Sequence, residues 1–393
     1  MNEICTHMVA MTFLTGFFAA MVAVLKFAPI EAGLAGVIPN FEPTKEQQKW
    51  ISNRPPPVAP TKAPTKAPTS ESGNGAGGYK GTDDLEWWDQ ENDFDEIAAG
   101  DRYNFMQCES NTECCNGSKW SCGLRLDQVA IAMVHNAMST KETSNSFGYN
   151  HLVDIDQALR FGYRGINLDV CKCNGVIQFC HNFCNFGARD ATDVFQDLMQ
   201  FLRSKIYLTE VIVLVFQFST GNPELDDLYR VMEGVDGFTD MLYVHGEKQE
   251  WPLMRELLAK NKRIVAFHHE SGTDCSTEEC PPGFHNYFDY AADTPFDLSS
   301  LNEMNDVGNS CEVSRGPQKE ADFYNINSFV TPPSIELARE INSKDFVRRR
   351  LNRCAEISGM IPNFYSVDFH SKGDVPEVVQ SRNVAFAQAI ARR

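Results

Sequence analysis

The chain has 393 residues, with 53 acidic against 35 basic side chains and a net charge of −18. That balance excludes a nucleic-acid backbone as partner and disfavours loose electrostatic binding to anionic lipid, because phosphates attract basic surfaces. With 42% hydrophobic residues the chain can bury a large core; its length admits two or three ordinary domains, or one barrel of about 250 residues with extensions.

The first segment, residues 1–35, contains the uncharged run MVAMTFLTGFFAAMVAVL from Met8 to Leu25. It is close to the roughly 20 residues that span a bilayer and longer than a usual signal-peptide core, so it reads as a transmembrane anchor, with a signal peptide cleaved after Ala35 as the alternative. Lys26 after the span would put the bulk of the chain in the cytosol, but the cysteines argue against that. Apart from Cys5, twelve of the thirteen cysteines lie beyond the apolar run, an even number. Disulfides in an oxidising compartment account for them better than zinc, since no pair with knuckle spacing is followed by a second. The chain is therefore placed in the secretory pathway, secreted or anchored with its folded part outside the cytosol. The sequon Asn116-Gly117-Ser118 agrees with that placement.

Residues 36–100 are a linker. Its Pro-Thr-Lys-Ala repeats give way to Gly and Ser, and then to an acidic stretch carrying Trp87 and Trp88, which reads as a strap on the following domain.

From residue 101 to 393 the pattern alternates between strand and helix. Short β-branched apolar runs fall at Val129–His135, Gly165–Cys171, Val176–His181, Val211–Phe218, Arg263–His268, Phe323–Val330 and Asn363–Phe369, with a candidate eighth at Met241. Amphipathic helices lie between them, one starting at a capping Asp190 and one with Pro252 in its first turn. The alternation predicts an α/β fold, a TIM-type (β/α) barrel, with a doubly wound sheet as alternative. In such barrels the site lies at the carboxyl ends of the strands. The polar residues there are His135 and Asn136; Asn167 and Asp169; His181; Gln217; His268 and His269; Asp368 and His370. Two histidines facing one substrate suit phosphodiester cleavage, one taking a proton from the attacking hydroxyl and the other giving one to the leaving oxygen. A carboxylate such as Asp368 orients the base.

The stretches MVHNAMS, GYRGINLDV, FCHNFC, TEVIVLVFQ and IPNFYSVDFHSKGD, in that order, resemble the X region of phosphatidylinositol-specific phospholipase C. The likeness runs from about Cys108 to Asn383 and is strongest to secreted or anchored PLC-like phosphodiesterases, which also carry a Cys-rich lead-in. It implies a TIM-type barrel acting on a phosphoinositide or related phosphodiester at a membrane surface; separately, the chain is expected to be a monomer. The resemblance implies His135 as general base toward the inositol 2-hydroxyl, His181 as general acid, Asp368 as the histidine's partner, and Asn136 and Asp169 beside the phosphate and the attacking hydroxyl; Gln217 and His268, as polar strand-end residues, are read as further substrate-binding residues. The chain departs from the family at its electrophile. Calcium-dependent members place carboxylates where this chain has Asn167 and Gln217, so Asn136, Asn167 and Asp169 make an incomplete calcium set and no cofactor is assigned. Metal-free members place an arginine where this chain has Cys171, which reads instead as half of a disulfide with Cys180 or Cys184. His268, His269 and Lys172 are the substitutes considered for the missing charge, and Arg164 reads as support for its turn. A barrel retained only to bind lipid or glycan is the alternative function.

Overall fold

The structure, a computed structural model, describes residues 114–391 apart from 145–147, 185–186, 247–248, 270–279 and 319. The apolar N-terminal run, the linker and the Trp87–Trp88 strap lie outside the described residues. Among the described residues, no helix is long and apolar enough to cross a membrane.

Among the described residues ten strands form one sheet: β1 Ile131–Val134, β2 Gly165–Cys173, β3 Val176–Phe179, β4 Arg189–Asp190, β5 Ile212–Phe218, β6 Ile264–His269, β7 Phe284–Asn286, β8 Ala291–Asp293, β9 Phe323–Asn327 and β10 Pro362–Val367. Eight are parallel, in the spatial order β7-β6-β5-β2-β1-β10-β9-β8. Read around the curl from β1, this is simple chain order, the order of a (β/α) barrel. No ladder joins β7 to β8 among the described residues, so the barrel is not fully closed.

Two expectations change here. Val176–His181 is no stave: β3 pairs antiparallel with β2, and β4 with β3, as a hairpin extension. The candidate eighth strand at Met241 is a 3-10 turn whose neighbour Leu242 makes only an isolated bridge to Ile264. The missing staves are β7 and β8, three residues each, too short for an alternating pattern to announce them.

Alternation along each strand divides the apolar residues between two layers. Ile131, Met133, Val213, Val215, Val265, Phe267, Phe323 and Phe364 fill the barrel interior. Ala132, Val134, Ile166, Leu168, Leu214 and Tyr365 point outward, where helices cover them. Gly165 allows the interior to close: a Cβ there would stand 2.8 Å from Met133 Cβ. Helix α1 spans Ile155–Arg160 and α2 Ala191–Arg203; Asp190 caps α2 by accepting from Thr192 N, and Val194, Leu198, Phe201 and Leu202 form its buried stripe. Helices α3 Leu225–Glu233, α4 Met254–Ala259, α5 Ile335–Ile341, α6 Lys344–Ser358 and α7 Val375–Ala391 follow.

Arg164 supports its turn, as expected. Its Nε donates to Glu210 Oε2 at 2.7 Å and Nη1 to the carbonyls of Leu159 and Tyr163, all buried beneath the start of β2. Disulfides join Cys115–Cys122, Cys171–Cys180, Cys173–Cys184 and Cys311–Cys354. The sequon asparagine is taken up by the fold. Asn116 is buried, its Nδ2 donates to Val211 O at 3.0 Å and its Oδ1 accepts from Val211 N at 2.7 Å.

Candidate active site

The carboxyl ends of the parallel strands open on a cavity of about 130 Å³ whose wall includes His135, Asn167, Gln217, His269, Asp293, Arg315, Asn325 and Phe329. His135 follows β1 directly, and its backbone N–H donates to Val367 O on β10, which extends the ladder by one residue. Its ring is fixed on two sides. It stacks on Phe329 with centroids 3.7 Å apart and planes 3° from parallel. Its Nδ1 lies 3.0 Å from Asp368 Oδ1, which also accepts from Asn150 Nδ2 at 2.9 Å. With Nδ1–H given to the carboxylate, Nε2 is the nitrogen left to accept a proton. The backbone that carries the carboxylate is held too. Asn342 Nδ2 donates to Asp368 O, and Phe369, next in the chain, sits in the left-handed region at φ 48° with its N–H on Asn150 O at 2.7 Å. Such backbone is kept only where its surroundings fix it.

His181 arrives from the β2–β3 hairpin rather than from a stave. Cys171–Cys180 and Cys173–Cys184 bracket its loop, so two covalent ties fix a segment that has no helix or strand of its own. Asn136 Nδ2 lies 3.3 Å from His181 Nε2 and Ser139 Oγ 3.5 Å from Nδ1. Burial pushes the His181 pKa below its ordinary value; His135 opposes a second positive charge nearby, and Asp368 pulls weakly the other way. Asn136, next in the chain to His135, thus links the His181 ring to the end of β1. Asn136, at φ 47°, turns the chain out of β1 and donates its N–H to Asn167 Oδ1 at 3.1 Å.

Asp169 is buried at the inner face of β2, level with Gln217 of β5, and Gln217 lines the cavity. His268 is not brought to the mouth. Alternation turns it outward, where its ring meets Phe218 and Phe284 edge-on, and burial lowers its pKa to about 4. Its neighbour His269 takes the inward place, with its pKa lowered to about 3 by burial and by nearby Arg315. Burial of this kind removes His269 as a source of positive charge near neutral pH. Lys172 points away from the mouth, its Nζ 2.9 Å from Asp227 Oδ2 on α3. His370 is buried behind the site, 4.7 Å ring to ring from His151, whose Nε2 bonds the His135 carbonyl at 2.6 Å. That pair stiffens the turn beneath His135.

The calcium set does not fit. Asn167 Oδ1 is taken by the Asn136 N–H and Asn136 Nδ2 faces His181, so within this set of described residues Asp169 is the one carboxylate for a cation that takes six to eight oxygens.

Sequence reasoning missed Asp293, Tyr287, Asn325 and Arg315. Asp293 ends β8, where its Oδ1 accepts from Tyr287 OH at 2.9 Å and Asn325 Nδ2 at 3.2 Å, and its Oδ2 from Arg315 Nη2 at 2.6 Å. The available signal was the single carboxylate in the stretch AADTP, which no strand was assigned to carry.

The curled parallel sheet, with its strand ends opening on one cavity, is the architecture of a (β/α)-barrel protein of the phosphodiesterase-like kind. The chain belongs to the family described as PI-PLC X 1, whose model matches residues 121–383. A relative from Arthroderma benhamiae, PI-PLC X domain-containing protein 1, is 24% identical over 285 residues, 68% of this chain and 89% of its own length. A second protein of that organism, an uncharacterized secreted protein, is 22% identical over 292 residues, covering 68% of this chain and 62% of the relative. A phosphatidylinositol-specific phospholipase C mutant from Staphylococcus aureus superposes with a TM-score of 0.47 at 13% identity, over 67% of this chain and 96% of that one.

Proposed function

We propose that the protein is a phosphodiesterase that cleaves a phosphoinositide or related phosphodiester by acid–base catalysis between His135 and His181. The carrying observation is the His135–Asp368 pair at 3.0 Å, with His181 joined to the same turn through Asn136, whose Nδ2 lies 3.3 Å from His181 Nε2. His135 Nε2 takes the proton of the inositol 2-hydroxyl as its oxygen attacks phosphorus. The bond from phosphorus to the lipid alcohol breaks, and His181 protonates the departing oxygen. The products are a cyclic inositol phosphate and the free alcohol, with one proton taken and one returned. Asp368 stabilises the His135 imidazolium that forms between the two transfers. Asn136 and Asp169 stand beside the reacting groups, and Gln217 on the cavity wall.

Apolar exposure fits a substrate presented on a membrane. Phe183, two residues beyond His181, is 69% exposed, and Phe296, on the cavity wall, is 46% exposed. The disulfides fit an oxidising compartment. One observation favours the second reading, a barrel that binds lipid or glycan without cleaving it: Cys171 is tied to Cys180 where the resemblance expects a cation.

The test is incubation of the full chain with phosphatidylinositol, with and without chelator, following cyclic inositol phosphate by phosphorus NMR. Turnover that is insensitive to chelator and lost in both His135→Ala and His181→Ala supports catalysis. Vesicle binding with no turnover by the unaltered protein supports the binding reading instead.

A further inference from the structure

A site that handles a phosphodiester anion needs positive charge where negative charge develops, and that stabilisation is often the largest catalytic term. The β2 stave offers none here, since Cys171 is in a disulfide and Lys172 is paired with Asp227. Among the described residues that line the cavity, Arg315 alone carries a fixed positive charge. It comes from the loop between β8 and β9, far in sequence from both histidines.

The loop is pressed against β8. Asp293 N donates to Arg315 O at 3.0 Å and Ser314 N to Asp293 O at 2.8 Å. Gly316, at φ 84°, lets the chain come so close that a Cβ there would stand 2.2 Å from Ala291 O. The guanidinium is then oriented by its neighbours. It lies 4.3 Å from the Phe296 ring centroid and 5.2 Å from that of Phe288, with Nη2 on Asp293. Asp293 in turn is fixed by Tyr287 and Asn325. Nε is buried and finds no partner. A pair that served only to pin the loop would not need to line the cavity or leave a buried N–H unmet, which is unfavourable.

We propose that Arg315 is the phosphate-binding cation of this site, with Asp293 as the positioning residue that aims it. A planar guanidinium presents two parallel N–H groups to the oxygens of a phosphate, and Asp293 occupies only one of its five. The ligand chemistry is a phosphate oxyanion. The assignment rests on the phosphodiesterase reading for its place in the reaction, but not for binding.

The experiment is equilibrium binding to the full chain, by calorimetry, of glycerophosphoinositol and of inorganic phosphate, alongside turnover of phosphatidylinositol vesicles. Arg315→Gln weakens glycerophosphoinositol binding at least tenfold, and Arg315→Lys weakens it less. Arg315→Gln combined with Asp293→Asn leaves no buried unpaired carboxylate, so it retains the melting temperature while still losing the ligand. Equal weakening for inorganic phosphate assigns the whole effect to the oxyanion; weakening for the diester alone means that Arg315 binds it as part of the headgroup. Unchanged affinity for both probes in a folded Arg315→Gln variant overturns the assignment. An unaltered protein that shows Arg315-dependent binding and no turnover would sink the phosphodiesterase reading and leave this one standing.

Discussion

Asp368→Asn is the most informative single change. Asp368 Oδ1 accepts from both His135 Nδ1 and Asn150 Nδ2, and its Oδ2 is buried with no hydrogen-bond partner. An asparagine keeps the carbonyl oxygen for both donors and puts its amide where Oδ2 was, so geometry is preserved and charge is removed. The folding cost is about 1 kcal/mol, roughly 2–4 °C in melting temperature. The catalytic cost is larger, because the carboxylate matters most when His135 becomes positive. A hydrogen bond to a charged group contributes about 1.5–3 kcal/mol, and two unit charges 4 Å apart interact by about 4 kcal/mol at an effective dielectric of 20. Taking the lower range, and at about 1.4 kcal/mol per factor of ten, kcat on phosphatidylinositol falls about 10- to 100-fold with KM little changed. The assay is single-substrate kinetics with thermal melting of the same preparation. Wild-type kcat in Asp368→Asn, measured where His135→Ala is inactive, would show that the carboxylate does not serve the base. A melting temperature lower by ten degrees or more would make the loss a folding effect.

Other outcomes follow from the same geometry. His135→Ala removes a charge that opposes protonation of His181 and opens its surroundings to water, so the His181 pKa rises, read by nitrogen-detected imidazole NMR. Buried His268 and His285 titrate near pH 4 in the fold against 6.5 unfolded. The unfolded chain therefore takes up protons first, and stability drops as pH falls from about 6.5 to about 4, by up to about 3 kcal/mol per histidine, measurable by denaturant melts across that range. Replacing Cys173 and Cys184 together by Ala removes one tie on the His181 loop; stability falls by about 2–3 kcal/mol and kcat falls more than the vesicle-binding constant does, by kinetics and sedimentation. Glu210→Gln leaves the buried Arg164 guanidinium without its counter-charge and costs about 3–5 kcal/mol in a denaturant titration.

Much of this was legible in the sequence because long parallel strands buried on both faces read as apolar runs. Six of the seven predicted runs are staves, and His135, Asn136, Asp169 and Asp368 are polar residues at or just beyond the ends of three of them, which is why strand ends alone were enough to propose them. The hairpin β3 read as a stave because its four residues have the same composition as one; pairing direction is set by the turn at Asn174–Gly175, not by the run itself. His268 and His269 are adjacent, and only the register with β5 decides which one faces inward. Register follows from the whole ladder, which no local pattern encodes. Arg315 was illegible for a different reason: it stands in a loop, and only the backbone pairing of Ser314 and Arg315 with Asp293 brings it to the cavity.

That pairing has a consequence for the barrel itself. The unlaced seam leaves β8 with an edge, and an exposed edge invites another strand to pair with it. Arg315 covers that edge with its own main chain, through an antiparallel bridge to Asp293. The same residue thus serves as stopper for the gap with its backbone and as the mouth's cation with its side chain. Opening that one bridge would free the Asp293 and Arg315 amides together, so a ligand held by the guanidinium is expected to slow hydrogen exchange at both.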